Sequence, residues 1–178
     1  MSCPQPKDYA TSGLSIQYAM LDHVKRFPNS SSRPQYILWG GRRIKTGDAI
    51  EVPKTGMIRA EFLAVKKDVD QGFDIKANGG IQLPDGRRVE LLRTWYDTRY
   101  EPMVEYPFEC EDRILRISNV YRMRYGGGQV IEEKWTGNAG FWVEKSSELD
   151  RVYHCSHGMA EVPDFDALVF RISILFPL

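Results

Sequence analysis

The sequence predicts an all-β fold: a single-domain, antiparallel, two-layer β-sandwich, with a flattened β-barrel as the alternative arrangement. Apolar and polar residues alternate with a period of two in segment after segment, whereas no helical period persists over ten residues. Turn-forming sequences rich in glycine, asparagine and proline separate these segments. A strand with one apolar face needs a second layer to cover that face, so two layers are expected.

The two clearest predicted strands lie in the second half of the chain. Over residues 115–125, arginines face one side, and apolar residues together with Asn119 face the other. A row of arginines requires a solvent-facing surface, so the opposite face belongs to the core. Over residues 168–176, five alternating apolar residues oppose Arg171 and Ser173 in the same way.

The pattern gives about nine or ten strand candidates in all, and the further ones that are clearest are separated by predicted turns. In chain order, the other strands are predicted over residues 14–20, 36–39, 58–64, 89–96 and 130–135. Turns are predicted at residues 78–80, 84–86 and 126–128, where glycines tolerate positive φ. Residues 21–34 and 98–112 are interpreted as long loops, with a short helical turn compatible with residues 20–26.

Length and composition favour one domain over residues 1–178, with a flexible N-terminal tip at residues 1–12. Basic and acidic residues are equal in number, so no net field attracts the chain to nucleic acid or to an anionic membrane. Three cysteines, an odd number, favour free thiols in a reducing compartment. No secretory signal and no apolar run of about 18 residues is present, so a cytoplasmic location is expected.

The sequence predicts neither a metal site nor a cofactor site. Residues His154, Cys155 and His157 are potential metal ligands, but positions i and i+3 of a strand point to opposite faces. We therefore expect a packed thiol beside two half-exposed imidazoles. The glycines at 126–128 lack the Lys-Ser/Thr of a phosphate-binding loop, and no Gly-x-Ser-x-Gly motif of a serine nucleophile occurs.

Two segments carry residue types suited to a functional site. The first runs from Trp95 to Glu101 and combines aromatic rings, carboxylates and an arginine at the end of a predicted strand. If this segment folds over an apolar pocket, a buried carboxylate with a raised pKa can act as a general acid or base, with a tyrosine as its partner. The catalytic candidates are Tyr96, Asp97, Tyr100 and Glu101. The alternative is a solvated polar loop.

The second segment contains Trp135, Asn138 and Trp142, with the two tryptophans flanking a predicted hairpin turn. A carbohydrate site needs exposed planar rings with amide or carboxylate groups beside them. These three residues and Trp95 are therefore the ligand-binding candidates. The alternative is that each tryptophan belongs to the core.

The segment from Trp135 to Phe141 resembles the corresponding part of starch-binding-type β-sandwich modules, in which a tryptophan is followed by small and amide residues and a closing aromatic. A strand that ends near Trp95, with Asp97 close by, is similar to an earlier part of that pattern. The resemblance covers about the middle third of the chain. It implies a carbohydrate-binding sandwich in which Trp135, Asn138 and Trp95 contact the ligand.

Two hypotheses follow. One is a ligand-binding β-sandwich for a carbohydrate or other polyhydroxylated small molecule. The other is a small cofactor-independent enzyme, such as a cyclase or isomerase that acts on an apolar substrate. A homodimer through a sheet edge or face is compatible with both. Exposed, coplanar Trp135 and Trp142 favour the first, and an apolar pocket beside Asp97 or Glu101 favours the second.

Overall fold

The computed structural model describes residues 5–176. Within them the chain forms one helix and twelve strands. In chain order these are α1 (Ile16–Arg26), β1 (Ile37–Trp39), β2 (Arg42–Ile44), β3 (Asp48–Glu51), β4 (Thr55–Val65), β5 (Asp70–Gln82), β6 (Arg88–Trp95), β7 (Met103–Cys110), β8 (Ile114–Arg124), β9 (Val130–Glu133), β10 (Gly140–Ser147), β11 (Asp150–Ser156) and β12 (Leu168–Leu175).

Ten of the strands form one antiparallel sheet that curls into a half-barrel. Its order is β10-β11-β12-β4-β7-β5-β8-β3, with β6 paired to β5 and β9 paired to β8. The predicted all-β class is confirmed, and the curled sheet falls within the two predicted arrangements.

The concave side of the sheet holds an aromatic stack at the centre of the main core. The ring of Phe170 on β12 lies 4.6 Å from the ring of Phe73 on β5 and 4.8 Å from the ring of Tyr153 on β11. All three side chains are buried. These contacts join strands that are distant in sequence, so the stack links β11 and β12 to β5, from which β4 and β7 separate them in the sheet.

The expected strand at residues 14–20 is wrong, because these residues begin helix α1. Ser15 caps the helix: its Oγ accepts a hydrogen bond from the backbone N–H of Tyr18. The buried residues Ile16, Ala19 and His23 follow a helical spacing, whereas Tyr18 is exposed. The period of two that predicted a strand therefore depended partly on exposed apolar residues, such as Tyr18, that do not belong to the core.

Helix α1 covers a second, smaller core above the β1–β2 hairpin. Its buried members are Tyr9, Ile16, Ala19, Ile37 and Ile44. The Tyr9 hydroxyl donates a hydrogen bond to Asp22 at 2.7 Å, and Asp8 accepts hydrogen bonds from Gly40 and Gly41. Residues 1–4 lie outside the described residues, but the rest of the predicted flexible tip is packed from Asp8 onward.

The predicted turn at residues 78–80 is instead a bulge inside β5. The pairing of β5 with β6 shifts register between Lys76 and Ile81, and Gly79 and Gly80 have φ values of 132° and 127°. A Cβ on Gly79 would lie 2.7 Å from the carbonyl oxygen of Glu109, so the bulge needs glycine there. The other two predicted glycine turns do connect β5 to β6 and β8 to β9.

The loop predicted over residues 98–112 is wrong for its larger part, which forms strand β7. Its buried residues are Tyr106, Phe108 and Cys110. Pro107 lies just before the residues of β7 that pair with β5, so one edge of the strand beside this proline has no partner strand among residues 5–176. A proline, which lacks an N–H, is tolerated at such an edge.

No helix among the described residues is both long and apolar enough to cross a membrane.

Candidate ligand-binding site

A cleft opens between β6 and the first half of β7, where no pairing joins the two strands in the described part of the chain. Strand β7 pairs with β5 only from Phe108 to Cys110, and before that it pairs with β4 alone. The residues 96–102, which connect β6 to β7, form the rim of the opening. We call this feature the β6–β7 cleft.

The β6–β7 cleft has a volume of about 440 Å³ and a largely apolar floor. The floor is formed by Ala60, Phe62, Phe73, Val104 and Tyr106. The rings of Phe62 and Phe73 lie 4.9 Å apart, and the ring of Tyr96 meets that of Phe62 edge-on at 5.5 Å. Tyr96 is thus held by an aromatic contact at the boundary between floor and rim.

The rim carries the polar groups of the cleft. They are Thr94, Asp97, Thr98 and Glu101, together with the ring of Tyr100, which is 71% exposed. All four predicted catalytic candidates, Tyr96, Asp97, Tyr100 and Glu101, therefore line one cleft. Trp95 lines it as well.

Asp97 is held as a carboxylate by its neighbour Arg99. The Arg99 side chain donates hydrogen bonds to both carboxylate oxygens, and its backbone N–H donates a further one at 2.9 Å. The side-chain and backbone hydrogen bonds from Arg99 lower the pKa of Asp97 to about 2. At neutral pH this group accepts hydrogen bonds, and it is not a raised-pKa carboxyl of the kind that the sequence hypothesis invoked.

The side chains of Tyr106 and Trp95 also contribute to the lining of the cleft. Burial raises the pKa of the Tyr106 phenol, and a hydrogen bond with Thr94 opposes that shift. Tyr106 is consequently a neutral hydroxyl at the floor. The indole of Trp95 is covered by the guanidinium of Arg122, whose carbon lies 3.9 Å from the ring centroid. This contact fixes Trp95 against the sheet.

The tryptophans of the second predicted segment do not form one exposed platform. Trp142 lies on β10 between two side chains: the ring of His154 stacks on it at 3.9 Å, and the guanidinium of Arg42 lies 4.6 Å from its centroid. Strands β9 and β10 pair with β8 and β11, respectively, so the expected hairpin between Trp135 and Trp142 is wrong. Trp135 lies in the connection between β9 and β10 and is 52% exposed.

Asn138 is buried and bridges three parts of the fold. Its Oδ1 accepts a hydrogen bond from the N–H of Ile16 at the start of α1, and its Nδ2 donates to the carbonyl of Ala160 at 2.8 Å. This side chain fixes the helix to the loop after β11. Its amide groups are occupied by backbone partners.

The side chains of His154, Cys155 and His157 do not form one cluster in the structure. His154 contacts Glu144 at 2.9 Å, His157 contacts Asp68 at 3.2 Å, and Cys155 is buried between them. Across the described residues, no group of three or more His, Cys, Asp or Glu side chains is placed to hold a metal ion.

The sequence identified the rim of the β6–β7 cleft but missed its floor. Phe62 belongs to a predicted strand that the alternation pattern could assign only to a core, and Phe73 lies on β5, which the sequence did not predict. Val104 and Tyr106 alternate with Glu105 and Pro107, which is a strand signal. The proline and the surrounding acidic residues obscured it.

Comparisons with protein-family models, curated proteins and solved structures gave no match for this chain.

Proposed function

We propose that this protein binds a small amphipathic molecule in the β6–β7 cleft, with an apolar body on the floor and hydroxyl groups at the rim. The observation that carries the proposal is the junction of an apolar, aromatic floor with a rim of carboxylates and hydroxyls in a single opening of about 440 Å³. Small-molecule sites in proteins are typically concave, mostly apolar and about 300–1,000 Å³ in volume.

The floor supplies the driving force for binding. Phe62 and Phe73 pack against each other, and the partly exposed side chains of Phe62 and Val104 form an apolar surface above the buried Phe73 and Ala60. Removing apolar surface from water stabilises a complex by roughly 25 cal/mol per Å². A ring or a short alkyl chain on the ligand is expected to occupy this space.

The rim supplies orientation. Asp97 is ionised at neutral pH, and carboxylates accept hydrogen bonds from hydroxyl groups. Tyr96 and Tyr100 add planar rings of the kind that stack on sugar faces. A carbohydrate with an apolar substituent, such as an aryl glycoside, combines both features. The polyhydroxylated ligand expected from the sequence is retained in this form.

The second candidate is acid–base catalysis on an apolar substrate in the same cleft. It is favoured by the position of Glu101 and the two tyrosines around an apolar floor. Binding is the better supported function, because the low pKa of Asp97 leaves that group without a proton to give and a weak base at neutral pH. If the protein turns over a substrate, Glu101→Gln is expected to abolish turnover.

The binding proposal is tested with N-phenyl-1-naphthylamine, an uncharged fluorescent probe, in a titration of the wild-type protein. The variant Val104→Phe places a larger side chain in the floor and is expected to weaken probe binding at least tenfold. Leu63→Phe is the matched control: it introduces the same side chain on neighbouring β4, at an exposed position outside the cleft. This control is expected to bind the probe as the wild type does.

Displacement of the probe then identifies the ligand class. Phenyl β-glucoside is expected to compete more effectively than either glucose or phenol, since only the glycoside reaches both floor and rim. Wild-type affinity in folded Val104→Phe would contradict the location of the site. Equal competition by glucose and phenyl β-glucoside would contradict the role of the floor.

A further inference from the structure

A second cleft lies on a different part of the sheet, lined by β3, β5 and β8 and by the connection that contains Trp135. Its volume is about 480 Å³, and it shares no lining residue with the β6–β7 cleft. We call it the basic cleft, because four of its lining side chains are cationic: Lys45, Lys76, Arg116 and Lys134.

Two of these cations are fixed in place by buried aspartates. The Lys45 ammonium donates a hydrogen bond to Asp48 at 3.1 Å, and the Lys134 ammonium donates one to Asp74 at 3.2 Å. Each lysine side chain remains about a quarter exposed, at 26% and 28%. An ammonium has three N–H donors, so each keeps donors for a ligand while its position is set by the protein.

The two aspartates do not neutralise the cleft. Each is also bound by an arginine from outside it: Asp48 accepts a hydrogen bond from Arg151, and Asp74 accepts two from Arg93. Among the lining side chains, four cations face two anions. The lining therefore has an excess of two positive charges, one of which, Arg116, also pairs with Asp112 just outside it.

The remaining cations are available at the surface. Lys76 is exposed and forms no ion pair within the described part of the chain. Arg116 is half-exposed and donates from one nitrogen to Asp112, which leaves its other N–H groups free to bind an oxyanion. These side chains come from neighbouring strands, since Lys76 on β5 pairs with Arg116 on β8.

Trp135 adds a planar ring to the cleft, and the Lys134 ammonium lies over it, 4.5 Å from its centroid. Its indole N–H donates to the carbonyl of Thr46 at 2.8 Å, which fixes the ring. Its φ is 64°, a left-handed conformation that is rare for a bulky residue and that concentrates at functional positions. Packing alone does not require a half-exposed indole that is held by a hydrogen bond on a strained backbone, so this residue points to a binding role.

We propose that the basic cleft binds a small phosphate monoester that carries a planar ring. A phosphate monoester has a charge of about −1.5 to −2 at neutral pH, which matches the excess positive charge of the lining. Its oxygens accept hydrogen bonds from Lys76, Arg116 and the anchored lysines, and its ring packs against Trp135. This site is independent of the ligand proposed for the β6–β7 cleft.

The test is isothermal titration calorimetry of the wild-type protein with phenyl phosphate, inorganic phosphate and phenol. Phenyl phosphate is expected to bind more tightly than either of the others, and its affinity should fall as salt is added. The double variant Lys76→Ala/Arg116→Ala is expected to weaken phenyl phosphate binding by roughly tenfold or more, since charge-assisted hydrogen bonds are lost. Lys25→Ala/Arg87→Ala removes the same charges from exposed positions outside the cleft and is expected to change little.

Trp135→Ala separates the two parts of the site. It is expected to weaken phenyl phosphate binding while leaving the binding of inorganic phosphate unchanged. Absence of saturable phenyl phosphate binding, or equal losses in the two double variants, would overturn the proposal. Equal affinities of wild-type protein for phenyl phosphate and inorganic phosphate would overturn the role of Trp135.

Discussion

Replacing Asp48 with asparagine is expected to lower the free energy of unfolding by roughly 3–5 kcal/mol, because one partner of a buried ion pair is removed. The carboxylate accepts hydrogen bonds from Arg151 at 2.9 Å and from the Tyr153 hydroxyl at 2.8 Å. Both Asp48 and Arg151 have almost no exposed side-chain surface. The asparagine keeps the shape of the side chain but leaves the Arg151 guanidinium without its buried counter-charge.

Equilibrium unfolding in urea measures the change. The control is Glu105→Gln, which removes a surface pair with Arg59 in which both side chains are about 40% exposed. Such a pair contributes about 0–1 kcal/mol. Similar losses of stability in the two variants would show that the Asp48 network does not hold β3 against β11.

The same network makes stability depend on acid. Burial raises the pKa of Asp48, but the charges of Lys45 and Arg151 and the Tyr153 hydrogen bond outweigh it and leave the pKa below its ordinary value of 3.8. A depressed pKa in the folded state stabilises the protein above about pH 4, and that contribution is lost as the pH falls through the folded-state value. The wild-type protein should therefore lose more stability than Asp48→Asn as the pH falls from about 4 through the lowered folded-state pKa of Asp48.

Phe170→Ala is the second substitution with a large expected effect, about 3–5 kcal/mol of lost stability. The Phe170 ring is fully buried and lies between Phe73 and Tyr153 in the aromatic stack. Its removal leaves a cavity that three neighbouring strands cannot close, because the sheet on both sides is fixed by pairing.

Thermal and urea unfolding of Phe170→Ala and Phe176→Ala compare the same truncation at a buried and at an exposed position. Phe176 is 63% exposed just after β12, so its loss is expected to change stability by at most about 0.5 kcal/mol. A small effect at Phe170 would contradict the position of the stack at the centre of the core.

The strands that the sequence predicts well are those whose alternation is uninterrupted. In β8, Leu115, Ile117 and Tyr121 are buried while Arg116 and Arg124 are exposed, as the arginine row predicts. Ser118 is also buried, although the alternation places it on the solvent-facing side with the arginines. The alternation of residue types along one strand does not show which side chains from other strands will cover it.

The errors have local causes as well. Helix α1 was missed because Leu14 and Tyr18 complete a period of two, although the Ser15 cap and the spacing of Ile16, Ala19 and His23 support a helix. In a segment of only eleven residues the two periods compete, and the small core under the helix decides between them.

The candidate sites could be predicted only where their residues are close together in the sequence. The residues from Trp95 to Glu101, except Arg99, line one cleft and are nearly contiguous, so their chemistry was visible in the sequence. Asn138 and Trp142 were grouped with Trp135 on the same reasoning, but their partners, Ala160 and His154, come from distant segments. The basic cleft is assembled from β3, β5, β8 and a connection, and no single stretch of sequence contains it.

An NMR titration with phenyl β-glucoside, followed through the aromatic side chains, tests most directly whether the β6–β7 cleft is the ligand site. We expect saturable shift changes centred on Phe62, Tyr96 and Tyr106, with Trp135 and Trp142 unaffected. Shift changes centred on Trp135 or Trp142, with the rings of the cleft unchanged, would contradict the assignment of the site.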